Sequence, residues 1–126
     1  MKRLVGAGLI GLCQMVTANG LTTQDGAFTA AQAERGRLVY EGSCVNCHEL
    51  AFYETKLAVW QDAAVAELFD ALAATMPSEN PGGLTDAQYL DVLAYIFSIT
   101  GAPPGDVELD LDNMALIQIV SAQFRE

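Results

Sequence analysis

Histidine occurs once, at His48, and cysteine only three times, at Cys13, Cys44 and Cys47. A closed zinc centre takes four nitrogen or sulfur ligands, usually as two separated pairs, so this supply argues against one. Basic residues are equally scarce, with six Lys and Arg against sixteen Asp and Glu and a formal net charge of −10. A field of that sign argues against nucleic acid or an anionic membrane surface as partner. No apolar run reaches the roughly 18 residues that a membrane-spanning helix needs. No internal repeat, low-complexity tract or convincing alternating strand pattern is present either.

What is present begins with MKRLVGAGLIGLCQMVTA. Lys2 and Arg3 form a charged start, Leu4 to Val16 an apolar core without acids, and Val16-Thr17-Ala18 a small-residue cleavage site. This is the form of a secretory signal over residues 1–18, with an uncleaved anchor as the other reading. A lipoprotein signal fits less well, because Leu12 precedes Cys13 where a small residue is expected. Removal of the signal leaves four basic residues, Arg35, Arg37, Lys56 and Arg125, against sixteen acids, a formal charge of −12. The mature chain keeps only Cys44 and Cys47. In an exported, oxidising setting, unpaired thiols are a liability, and something should occupy both sulfurs.

Residues 19–28 (NGLTTQDGAF) read as a flexible lead, and residues 29–126 as one domain. Helical patterning starts near Thr29, a cap candidate, with Ala33, Gly36, Arg37 and Tyr40 at helical spacing. Gly36 costs about 1 kcal/mol against alanine inside a helix, which points to close approach by another backbone. A second helix is expected over about 63–75, capped by Asp62, with Val65, Leu68, Phe69 and Leu72 as its apolar stripe. Pro77 ends it, and PSENPGG forms a loop. Thr85 to Gln88 has the form of a capping box, followed by Tyr89, Val92, Leu93 and Ile96 on a buried face. Gly101 is a natural left-handed stop. A last short helix is expected over about 112–120. The fold class is all-α.

The chemistry sits in SCVNCHE. Three uses compete for two thiols three apart with an imidazole behind the second. Zinc lacks a fourth suitable ligand, since all three donors lie within five residues. A redox CxxC works at a helix N-terminus in a βαβ setting, whereas here a helix precedes the motif. Haem attachment accounts for Cys44, Cys47 and His48 together. The thiols join two vinyl groups on one porphyrin edge, and the histidine directly after them ligates iron. Discounting the signal, the sixth-ligand candidates are Met76 and Met114. Met76 precedes proline at a loop between two amphipathic helices. Met114 sits in an apolar stretch where a flexible side chain fills core space. Met76 is the expected ligand.

With these residues the chain resembles the class I cytochromes c over most of its mature length. Gly36, Tyr40 and Cys44 match the family's glycine, aromatic and first haem cysteine at four-residue steps, and Val92 and Tyr95 match its last core helix. TMP, PGGL, YLDVLAYIF and TGAPPGDVEL resemble the branch of monohaem cytochromes that accompanies PQQ-type dehydrogenases. The resemblance implies three core helices plus short helices around one covalent haem c, with Met76 distal. The glycine then marks the contact of two crossing helices, and Trp60 lies near the haem or its propionates; ordinary core packing is the other reading of Trp60. One departure is plain. No proline lies between His48 and Met76, whereas many family members use a prolyl carbonyl there to accept the proximal histidine's other N–H.

The function expected is a periplasmic electron carrier, not an enzyme, that passes single electrons between redox proteins with basic docking surfaces. After signal removal no stable membrane insertion is expected. Two alternatives remain open: a haem enzyme or sensor with a vacant distal position, or a permanent cytochrome subunit of a larger dehydrogenase complex.

Overall fold

The computed structural model describes residues 21–44 and 48–121. The proposed signal, Cys47 and Arg125 lie outside the described residues. Among the described residues four helices follow one another: α1 (Ala30–Ser43), α2 (Leu50–Val59), α3 (Val65–Thr75) and α4 (Asp86–Ile99), with a single 3₁₀ turn at Met114–Leu116. The described chain is therefore all-helical, with only isolated bridges between extended segments. None of its helices is long and apolar enough to cross a membrane.

α1 starts where Thr29 turns its hydroxyl back to accept the Gln32 N–H at 3.1 Å. Its inner face is Gln32, Ala33, Gly36 and Tyr40. Arg37, which shares their helical spacing, is partly exposed and paired with Glu34 and Glu41. A guanidinium gains more from two carboxylates in water than from burial. Gln32 takes the inner position because both ends of its amide are satisfied. It donates to the Leu109 carbonyl and accepts the Leu109 N–H, each at 2.8 Å.

α1 packs against α4 through Gly36. A Cβ added there would fall inside the contact radius of the Asp91 carbonyl oxygen and lie 3.0 Å from the Tyr95 Cβ. Arg35 anchors the same contact, donating to Asp91 and to Glu108. The α4 capping box forms as expected, Thr85 and Gln88 each satisfying the other's backbone N–H at 3.2 and 2.9 Å. Tyr89, Val92, Leu93 and Ile96 are buried. Gly101 closes the helix at φ 99°.

Four expectations are corrected. Asp62 does not cap α3: it sits at φ 68° and donates its N–H to the Ile119 carbonyl. A short polar side chain tolerates that left-handed turn. Instead Glu67 folds back to accept the Ala64 N–H at 3.0 Å. Second, α2 occupies a stretch for which no helix was expected.

Third, residues 112–120 do not form a helix beyond the 3₁₀ turn. Ile117 and Ile119 are buried while Gln118 between them is exposed, an alternation that belongs to extended chain. Val65 donates to Ile117, Asp62 to Ile119 and Thr23 to Gln118, each at 2.9 Å. Fourth, residues 21–28 are not a loose lead. Thr23 and Phe28 are buried, and residues 21–23 pair with Gln118. The polar side chains of this segment find partners within the fold: Thr22 donates to Asp25, and Thr23 and Gln24 donate to the Val120 carbonyl.

Candidate functional site

One cleft of about 350 Å³ opens between α2, α3, the loop after α3 and α4. α4 supplies a floor of Val92, Leu93 and Ile96, and α3 a wall of Leu68 and Leu72. α2 contributes Phe52, Tyr53, Lys56 and Leu57, with Trp60 just beyond. The stripe expected on α3 is thus divided: Val65 and Phe69 enter the core, while Leu68 and Leu72 stay partly buried and face the cleft.

Cys44, His48 and Met76 all line this cleft. Cys47 belongs to the segment 45–47 outside the described residues. Met114 is packed against the core and is not part of the cleft lining. Trp60 both lines the cleft and packs partly buried against the core, so its two readings meet in one position.

Cys44 caps the C-terminus of α1, its N–H donating to the Tyr40 carbonyl at 2.8 Å. The Tyr40 phenol donates to the His48 carbonyl at 2.9 Å, so one side chain ties the histidine to α1. The His48 ring lies stacked on Phe52, centroids 4.2 Å apart and planes 17° from parallel, with Tyr53 edge-on at 5.8 Å. Among the described residues the ring makes no hydrogen bond.

Met76 is held from both sides of its peptide. α3 ends there because the residue before a proline is pushed into extended backbone, and Met76 sits at φ −127°, ψ 150°. Its N–H donates to the Leu72 carbonyl at 2.8 Å. Its carbonyl accepts the Tyr89 hydroxyl at 2.6 Å, while the same hydroxyl receives the Leu84 N–H at 3.4 Å. A buried α4 side chain therefore sets where the thioether begins.

Among the described residues, charge reaches the lining only through Lys56 and Glu79. Lys56 lies 5.5 Å from the Phe52 ring centroid, and among the described residues it is the cation outside every ion pair. Burial pushes the Tyr53 phenol well above its ordinary range, with the neighbouring Tyr40 phenol adding to the effect. Tyr53 therefore stays neutral and protonated at every physiological pH.

The α2 contribution was missed in the sequence, although a signal was there. Tyr53, Leu57 and Trp60 stand at i, i+4 and i+7, and Tyr53 and Leu57 are the buried residues of α2. Among the described residues no three His, Cys, Asp or Glu side chains gather as an ion site. The cleft instead offers a thiol, an imidazole and a thioether on apolar walls, a donor set that suits a soft metal centre within an apolar group. No family model, curated protein or solved structure matches the chain.

Proposed function

We propose that this chain is an exported, periplasmic class I cytochrome c that carries single electrons between redox proteins. The observation that carries the proposal is the meeting of Cys44 and His48 with Met76, from a separate stretch of chain, on one apolar cleft. In this reading Cys44 and Cys47 bind haem c through thioethers, and His48 and Met76 ligate its iron. The bound haem supplies a reversible one-electron couple.

The chain's own residues set the conditions. Leu57, Leu68, Leu72, Val92, Leu93 and Ile96 keep water from the cleft and accept a flat apolar group. The thioether of Met76 is a soft donor that favours the ferrous state. His48 and Met76 would together hold the iron and leave no position for oxygen or peroxide, which separates a carrier from a haem enzyme or sensor. The surplus of acids favours partners with basic docking faces, and encounters of this kind use small interfaces, below about 1,200 Å². A PQQ-type dehydrogenase is the partner class that the sequence resemblance implies.

The test is production in a host competent for c-type maturation, followed by intact mass and visible spectroscopy. A mass increased by one covalent haem is expected. Met76→Ala should abolish the weak far-red methionine-to-iron band, and Met114→Ala should retain it. A bare polypeptide overturns the proposal outright. A haem protein that is high-spin as isolated and binds carbon monoxide rapidly selects the enzyme or sensor instead.

A further inference from the structure

We propose that Phe52 and Tyr40 are the positioning residues of His48, doing in this chain what a prolyl carbonyl does when it accepts a ligand histidine's second N–H. The inference rests on the haem reading above.

A ligating imidazole must be fixed in two respects: where its Cα sits, and how its ring is turned about the side-chain bonds. Metal-bound histidines commonly meet the second need with a hydrogen bond from the distal ring nitrogen. Here no proline lies between His48 and Met76, and the ring makes no hydrogen bond among the described residues. The described residues make two contacts that bear on these needs. The Tyr40 hydroxyl fixes the backbone, binding the His48 carbonyl at 2.9 Å. Tyr40 is itself buried and wedged between Tyr53 and Tyr95, at centroid separations of 5.7 and 5.1 Å.

Phe52 fixes the ring. It stands four residues after His48 and covers one imidazole face at 4.2 Å, nearly parallel. It is held in turn from two directions, by Tyr53 edge-on at 5.3 Å and by the Lys56 ammonium 5.5 Å from its centroid. Phe52 is 36 % exposed, so core filling does not account for its place. A flat ring on one face leaves the imidazole free to slide but restrains its tilt, and aromatic pairs of this kind are attractive beyond the area they bury.

The test is proton NMR of the ferric protein, in which the order and spread of the haem-methyl resonances report the orientation of the axial ligands. Phe52→Tyr keeps the stack and should keep the wild-type order. Phe52→Leu keeps apolar bulk but loses the flat face, and should change the order and shrink the spread while haem content and the far-red band persist. Tyr40→Phe keeps the ring and removes only the donor, and should broaden the same resonances without changing helix content. A Phe52→Leu spectrum superimposable on wild type, at full haem content, overturns the assignment of Phe52. An unaltered Tyr40→Phe spectrum overturns that of Tyr40. Wild-type chain that carries no haem overturns the haem reading itself, a separate outcome visible by mass alone.

Discussion

Two glycines of α1 should respond to the same substitution with opposite sign. Alanine is favoured over glycine in a helix interior by about 1 kcal/mol. At Gly42 an added Cβ meets nothing within 4 Å, so Gly42→Ala should stabilise by roughly 0.5–1 kcal/mol, less any fraying near the helix end. At Gly36 the methyl group would overlap the Asp91 carbonyl. That atom is backbone in the middle of α4 and cannot rotate away, so the two helices must part. Overpacking of this kind costs about 1–3 kcal/mol, occasionally more, and parting the helices also loosens Tyr40, Val92 and the Arg35–Asp91 pair. Because the clash is with backbone, the upper end of that range, about 3 kcal/mol, applies, and Gly36→Ala should destabilise by roughly 2 kcal/mol once the propensity gain of about 1 is deducted. At about 4–8 °C per kcal/mol for a domain of this size, its melting midpoint should fall by ~8 °C or more while that of Gly42→Ala rises by a few degrees. Thermal denaturation followed by far-ultraviolet circular dichroism measures both. Equal stabilisation by the two substitutions would refute the claim that α1 and α4 touch backbone to backbone at Gly36.

Tyr89→Phe removes the hydroxyl that binds the Met76 carbonyl. It should cost about 1 kcal/mol, more if the carbonyl is left without a partner; in the haem-loaded chain proposed above, the far-red band should fade at a lower temperature than in wild type, and a band equally stable to heat would show that Met76 needs no such support. Because burial raises the Tyr53 pKa, this residue's contribution to stability is fully present below about pH 10, the ordinary phenol value. It is lost as pH climbs from there through the higher folded value. Denaturation midpoints should accordingly fall above ~pH 10 in wild type and fall less in Tyr53→Phe, and identical alkaline slopes would contradict this. Electron exchange with a positively charged redox protein should slow as ionic strength rises, because screening at 0.1 M salt already acts within about 10 Å. Stopped-flow rates that stay flat or increase with salt would remove the steering role of the acidic surface.

Local signals predicted local structure well wherever one short segment contained both the cause and the effect. Thr29 and Thr85 cap because their hydroxyls reach backbone N–H groups three residues on. Pro77 ends α3 at Met76, and Gly101 stops α4, for reasons confined to one or two residues. Gly36 was readable through its cost: a helix that tolerates glycine must gain contact elsewhere. Patterns whose resolution required a distant partner were misread. Ile117, Gln118 and Ile119 become extended only because Thr22, Ala64 and their neighbours offer backbone groups to pair with. The same pairing turns Asp62 away from the cap position and draws residues 21–28 into the core.

The candidate site divides along the same line. By spacing alone the sequence determined which side chains could bear the chemistry, Cys44, Cys47 and His48 in one motif, with Met76 before its proline. Tertiary structure decided that Met76 rather than Met114 shares a cleft with His48. It also decided that α2 closes one side of that cleft, and that Tyr40 and Phe52 contact His48 while Tyr89 binds the Met76 carbonyl. The reason is reach: covalent spacing fixes neighbours a few residues apart, whereas a cleft exists only once helices distant in sequence have packed.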